Sequence, residues 1–232
     1  MEHIAFTDKN DGYYNNEKSR FIQLIPEGPN KILDLGCAAG RLGRKLRELN
    51  KTSELVGVEI FEPAAMEAAK YYDRVYVADI EHINLDYMGY FDFVFCGDIL
   101  EHLRDPWTML NKIHIWLKKD AFLVSTIPNI RYWLILRDLI IFGKWEYTEA
   151  GVLDQTHLRF FTRNSFLKML QKANYNVDYQ EMVIHGQKKN FLNKLTFGIF
   201  EEFLGSQVLV MAKKTYCDLN MPSPFAEYGF IT

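Results

Sequence analysis

Five short apolar runs punctuate the chain up to Ile127: Lys31–Leu35, Leu55–Ile60, Val75–Ile80, Phe91–Cys96 and Phe122–Ile127. Their length and their content of Val, Ile, Leu and Phe predict strands buried on both faces. Between them, apolar residues fall at helical spacing. Leu42, Leu46 and Leu49 mark one helix after Arg41, and Ala64, Ala65, Ala68 and Ala69 mark another behind Pro63. A third carries Met109, Leu110, Ile113 and Leu117 on one face, with Asp105 suited to its N-cap and Pro106 to its first position. Strand and helix alternate, the pattern of an α/β fold around a parallel sheet.

The second half is less regular. Arg131 to Gly143 is strongly apolar, interrupted by Arg137 and Asp138. It is too short to span a bilayer and reads as a buried cap helix, a dimer face or an interfacial membrane helix. Thr162 is placed to cap a helix with Phe166, Leu167, Leu170 and Ala173 facing inward. Tyr175–Ile184 reads as a sixth strand, Lys188–Leu204 as an inserted helical piece rich in Phe and Leu, and Gln207–Ala212 as the last strand. Ahead of the sheet, Tyr13-Tyr14 and Ser19–Ile22 suggest a leading helix ending near Pro26; the tail from Thr215 carries two prolines and scattered aromatics. No internal repeat is visible.

Candidate chemistry concentrates where the first run stops. Gly36-Cys37-Ala38-Ala39-Gly40 is a cramped turn of small residues between strand and helix. Such a turn lets a ligand approach the backbone, beside the free N–H groups of a helix start. The dinucleotide fingerprint G-x-G-x-x-G would need glycine where Ala38 and Arg41 stand, so it fails. The phosphate-binding pattern fails as well, since no Lys-Ser/Thr pair follows Gly40. Acids close three successive runs: Asp34, then Glu59, then Asp79. They are expected to line the carboxyl edge of the sheet, where open α/β folds bind ligands. Glu59, at the end of the second strand, is placed to grip a ribose through both hydroxyls.

Composition narrows the classes. At 232 residues one domain is expected, running from residue 1 to 232, with 48% hydrophobic and 25% charged residues, as in a soluble globular protein. The formal charge of −3 argues against a general nucleic-acid binder. Residues 1–30 lack a secretory pattern and no apolar run is long enough for a transmembrane helix, so a cytoplasmic protein without stable membrane insertion is expected. The three cysteines lack metal spacing; Cys37 and Cys96 read as small buried hydrophobes of a reducing compartment.

Lys31–Gly40 resembles motif I of the class I S-adenosylmethionine (SAM)-dependent methyltransferases, V-L-D-L-G-C-G-x-G, departing at Ala38. Gly97-Asp98-Ile99-Leu100-Glu101-His102, followed by Asp105-Pro106, resembles the D-x-L-E-H-x-x-D-P segment of quinone-directed and MetW-like methyltransferases. Gly151–Thr162 resembles the G-x-L-D-x-T-H-x-R-F-F-T element of bacterial methyltransferases associated with glycan and O-antigen synthesis. The resemblance implies a Rossmann-like fold with a seven-stranded mixed sheet, order 3-2-1-4-5-7-6, flanked by helices. It also implies an N-terminal helical segment over residues 1–30 and a substrate cap from insertions near 130–161 and 188–204. SAM is the implied cofactor and S-adenosylhomocysteine its product. Asp34, Gly36, Cys37, Ala38, Gly40, Glu59, Ile60, Asp79, Ile80, Gly97 and Asp98 are the implied cofactor residues, with Asp79 receiving the adenine amino group and Ile80 beside the ring.

Methyl transfer by in-line displacement requires mainly alignment of the nucleophile, but a hydroxyl acceptor must also lose its proton. His102 is a candidate base, or a structural histidine bonding its loop. His157 is a second, with Asp154 orienting the ring; Arg159 and Tyr14 are candidate substrate contacts. The alternative for Asp154, His157 and Arg159 is a salt-bridged loop pinning the cap. No third ligand stands near Asp154 and His157 in sequence, so no metal site is expected. The function expected is methyl transfer to a small molecule, with a sugar or glycan-precursor hydroxyl foremost. A quinone-like or other lipophilic acceptor is one alternative, a non-catalytic SAM-binding protein another, and an NAD-dependent nucleotide-sugar enzyme a third. A homodimer remains open.

Overall fold

In the computed structural model, which describes residues 20 and 22–215, Lys31–Leu35 forms the central strand β1. It pairs in parallel with β2 (Glu54–Glu59) on one side and β4 (Phe91–Gly97) on the other. β3 (Arg74–Val77) lies outside β2, and β5 (Leu117–Pro128) outside β4, both parallel. β7 (Gln207–Lys214) then enters antiparallel between β5 and β6 (Tyr175–Val183). The order β3-β2-β1-β4-β5-β7-β6 is the expected one. From β1 the chain adds β2 and β3 on one side and later β4 and β5 on the other, which opens a crevice at the carboxyl ends of β1 and β4.

Helices cover both faces. α1 (Arg41–Glu48), α2 (Glu62–Ala68) and α3 (Pro106–Trp116) connect the parallel strands. Asp105 caps α3 as expected, its Oδ1 accepting the Thr108 N–H at 3.0 Å. α4 (Trp133–Phe142) follows β5; α5 (Arg163–Lys172) starts at a capping box in which Thr162 and Ser165 bond each other's backbone. α6 (Gln187–Leu195) and the single turn α7 (Glu201–Leu204) join β6 to β7. The core forms two layers, one around Leu33, Leu35, Val94 and Phe166, the other around Ile32, Cys37, Leu46 and Phe95. Cys37 and Cys96 are both buried.

Several expectations are corrected. β3 stops at Val77, so Asp79 and Ile80 lie in the following turn, because the Asp79 Oδ1 captures the Glu81 N–H at 2.9 Å. Trp116, not Leu117, completes the inner face of α3; Leu117 already begins β5. α4 buries no residue, so it is not a buried cap helix: Leu139, Ile140, Ile141 and Phe142 are all exposed. The helical piece after β6 likewise exposes Phe191, Phe197 and Ile199. Tyr14, Cys217 and most of the tail lie outside the described residues. No helix among the described residues is long and apolar enough to cross a membrane.

Candidate functional site

The turn after β1 is built by backbone constraint. The N–H groups of Gly36 and Cys37 both donate to the Val58 carbonyl, at 2.8 and 3.1 Å. Gly36 (φ 72°) and Gly40 (φ 78°) take left-handed backbone. A Cβ on Gly40 would stand 2.7 Å from the Ala68 backbone, so that position needs glycine for space as well, whereas one on Gly36 would meet only the movable tip of Ile99, at 2.3 Å. Ala38 is left-handed too (φ 47°) without being glycine. The Cys37 side chain turns into the core against Gly57, which leaves its backbone alone at the crevice.

The three acids are not equivalent. Glu59 ends β2, and its carboxylate accepts the Ala38 N–H through Oε2 and the Phe61 N–H through Oε1, both at 2.9 Å. Ile60 beside it is 68% exposed, an apolar face at the crevice rim. Asp79 accepts the Glu81 N–H and contacts His82 Nδ1 at 2.9 Å. Burial acts to raise the Asp79 carboxyl, but the Glu81 N–H and the His82 ring prevail and hold it below the ordinary carboxylate range. Ile80 packs partly against the core. Asp34 departs from the expected strand-tip trio. Its position in β1 points it to the Ile32 face, where it is buried and accepts the Tyr72 phenol.

β4 delivers the next group. Asp98, left-handed at φ 54°, follows Gly97; its N–H donates to the Thr126 carbonyl and its Oδ1 accepts from Gln207 Nε2 at 3.1 Å. A turn of 3₁₀-helix, Leu100–His102, carries Glu101 and His102. The loop around His157 docks on it, the Leu158 and Arg159 N–H groups donating to the Glu101 carbonyl at 2.8 and 3.0 Å. The His102 and His157 rings thereby meet edge to face, centroids 4.7 Å apart. His102 Nδ1 lies 3.2 Å from the Thr156 carbonyl, and His157 Nδ1 3.1 Å from the Val152 carbonyl. Asp154 is buried and accepts both the N–H and the hydroxyl of Thr156. Arg159 donates to the Arg104 carbonyl and lies over the Trp107 ring, 5.6 Å from its centroid.

The structure thus brings Asp98, His102, His157 and Asp154 to one end of the sheet. Glu101, between Leu100 and His102 in the 3₁₀ turn, belongs to this group although the sequence pattern does not single it out. Burial, and the like charges of Asp98 and Asp154, push its carboxyl well above the usual range. Val152 and Leu153 also line a cavity of about 510 Å³ with Leu134, Ile135 and Phe142 of α4, its rim charged by Arg137. The residues present fit SAM: a turn of small residues bracketed by two glycines, a carboxylate at the tip of β2, the exposed Ile60 and a further carboxylate beyond β3.

A family model described as a methyltransferase domain matches residues 9–180. The ubiquinone biosynthesis O-methyltransferase of Idiomarina loihiensis is 28% identical over 50% of this chain and 51% of its own length. An uncharacterized RNA methyltransferase of Leptospira interrogans is 24% identical over 66% of this chain and 37% of its own. The chain therefore spans about half, or less, of the length of these curated relatives. Among solved structures, a SAM-dependent methyltransferase from Archaeoglobus fulgidus superposes with a TM-score of 0.65, at 18% identity, over 88% of this chain and 94% of that one.

Proposed function

The chain belongs to the methyltransferase domain family, whose class I fold it shares and whose methyl donor is SAM, and on that premise we propose that it methylates a hydroxyl of a small, amphipathic acceptor. When bound, the cofactor supplies a methyl carbon made electrophilic by its sulfonium. Glu59 would accept both ribose hydroxyls, and Ile60 and Ile80 would flank the adenine, whose amino group Asp79 would receive. Gly36, Ala38 and Gly40 would admit the cofactor against the backbone, as would the Cys37 backbone. Gly97 and Asp98 would meet its amino-acid end. Asp34 would serve indirectly, by holding the strand beneath the turn.

One observation carries the acceptor reading. Two imidazoles, ring centroids 4.7 Å apart, meet where His102, shortly after Gly97-Asp98 in the chain, faces the His157 loop docked on the Glu101 carbonyl. An imidazole can take a hydroxyl proton near neutral pH; an amine acceptor needs such help less. His102, the more accessible of the two, is the better base, and His157 supports it. Asp154 acts on the loop through Thr156, a positioning role. Arg159, engaged by Trp107, would contact the acceptor through its remaining donors.

The cavity against α4 supports a lipophilic acceptor with one polar group, since aliphatic walls meet a charged rim. Relatives named for ubiquinone biosynthesis support the same class. A sugar hydroxyl is the second reading, favoured by the polar loop around His157. The test is S-adenosylhomocysteine release, followed by mass spectrometry, over catechols with and without prenyl tails, nucleotide sugars, amines and RNA. Transfer to a hydroxyl of a prenylated or simple phenol is expected. Cofactor binding without turnover on any hydroxyl acceptor would overturn the proposal, as would thermal stabilisation by NAD and not by SAM.

A further inference from the structure

We propose that Glu101, His102 and His157 together form a binding site for one divalent transition-metal cation, of the Mn²⁺ to Zn²⁺ series. One candidate ligand atom from each lies within 4.8 Å of the others. Donors bound about 2.1 Å from one ion stand roughly 3 to 4.3 Å apart, and the His157 Nε2 to Glu101 Oε1 distance of 3.9 Å already falls in that interval. Small side-chain rotations close the remainder.

Glu101 is the independent observation. Its side chain is 1% exposed. Neither carboxylate oxygen has a hydrogen-bond partner among the described residues. An ionised carboxylate is costly to bury without a countercharge. The groups that act on it through space, Asp98 and Asp154, are anions and add to that cost. Protonation alone is a poor remedy, because the nearest acceptor for the resulting O–H, His157 Nε2, stands 3.9 Å away, beyond hydrogen-bond reach. A cation resolves both difficulties, since it would neutralise the charge and occupy the oxygens.

The histidines are prepared for the same task. His102 Nδ1 faces the Thr156 carbonyl and His157 Nδ1 the Val152 carbonyl. A backbone acceptor at Nδ1 holds the proton there and presents Nε2 as the ligating nitrogen, the usual support of a metal-bound imidazole. Two imidazoles with one carboxylate favour Mn²⁺, Fe²⁺, Co²⁺ or Zn²⁺ over Mg²⁺ or Ca²⁺, which prefer oxygen donors. Three protein ligands leave coordination positions open. Glu101 and His157 are buried and His102 is half-buried, so those positions are reached from the His102 side.

This rests on the acceptor reading above and changes one part of it: with the ion bound, His102 and His157 serve as ligands in place of the base role, and the ion takes the acceptor oxygen. A bound cation lowers the pH at which such an oxygen loses its proton, as zinc does for water; the proton passes to solvent and the oxygen lone pair is freed for attack.

The experiment titrates chelator-stripped full-length protein with Mn²⁺, Co²⁺ or Zn²⁺ by calorimetry, without SAM, with Mg²⁺ as the control. One ion per chain is expected, with Mg²⁺ far weaker and Co²⁺ giving visible bands of imidazole ligation. Glu101→Gln and His157→Ala should each weaken binding by more than about 100-fold, beyond the loss expected when only a supporting hydrogen bond is removed. Glu101→Gln keeps the side-chain volume, and circular dichroism checks that it folds; if His157→Ala does not fold, His102→Ala replaces it. Absence of stoichiometric binding by all three ions would overturn the site. Unchanged affinity in folded Glu101→Gln would do the same. SAM affinity, measured on the same samples before metal is added, reads the family assignment separately.

Discussion

The Ala38 N–H donates to Glu59 Oε2 at 2.9 Å, so the tip of β2 holds the turn that follows β1. Glu59 accepts the Phe61 N–H as well, which makes one carboxylate the clamp between both loops of the crevice. Glu59→Ala removes two exposed charge-assisted bonds, each worth less than the about 1.5 to 3 kcal/mol of a shielded one, and frees the turn. We expect SAM affinity to fall by at least about tenfold, the equivalent of about 1.4 kcal/mol. Glu59→Gln keeps one acceptor and should fall less. Calorimetry decides: equal affinity in wild type and Glu59→Ala removes Glu59 from the cofactor site.

Ala38 holds φ at 47°, left-handed backbone that costs a residue with a Cβ about 1 to 2 kcal/mol. Glycine at this position relieves that cost but adds about 0.5 to 1 kcal/mol of unfolded-state entropy. The strain term is the larger. Ala38→Gly should therefore stabilise the protein by about 0.5 to 1 kcal/mol in urea denaturation, with SAM affinity retained. A loss of stability would mean that the Ala38 methyl makes a contact worth more than its strain.

Asp34 lies in the core, where the Tyr72 phenol donates to its Oδ2. Burial and the Asp34 charge both push that phenol well above its usual range, so it remains a donor throughout the working pH range. Tyr72→Phe leaves the carboxylate short of one strong partner, at a cost of about 1.5 to 3 kcal/mol. Urea midpoints give that number. A change no larger than that of an ordinary surface substitution would show that other partners of Asp34 suffice.

His114 on α3 gives the pH dependence a sign. Burial is the largest influence and Lys214 acts with it; the Thr215 carbonyl, 2.9 Å from Nε2, opposes them, and the net effect lowers the folded-state pKa below 6.5. The unfolded chain therefore binds the extra proton first as pH falls below about 6.5. Stability from this group is complete above that pH and declines below it, at no more than about 1.4 kcal/mol per pH unit for one proton. His114→Gln should flatten the slope of denaturation free energy just below about pH 6.5. An unchanged slope would assign that titration to other groups.

Much of the molecule is legible from local pattern. The motif I turn, the β-strand order and the Asp105 and Thr162 caps depend on residues close in sequence, or on a topology that the resemblance carries. β3 is misjudged because Ala78-Asp79-Ile80 continues its apolar alternation, whereas the Asp79 side chain bonds Glu81 and ends the strand. The candidate cation site is invisible in one dimension. Glu101 and His157 are far apart along the chain, with α3, β5 and α4 between them, and only docking of the His157 loop on the Glu101 carbonyl joins them. Apolarity also misleads at α4, since it cannot say what covers a face.

That face yields the last prediction. Phe142 is 60% exposed and lines the cavity beside Leu153, whereas Ile140 is 76% exposed and is not among its lining residues. Neither supports the core, so substitutions there should change stability by no more than about 0.5 kcal/mol. Phe142→Ser removes apolar wall from the proposed acceptor pocket, about 1 kcal/mol of contact, so KM for a lipophilic phenol should rise about fivefold with kcat held. Ile140→Glu should leave KM alone if the cavity is the acceptor site. If Ile140→Glu raises KM as much as Phe142→Ser does, the whole helix face meets the acceptor or its carrier membrane, which is the interfacial reading of this segment. An unchanged KM in Phe142→Ser removes the cavity from the acceptor's path.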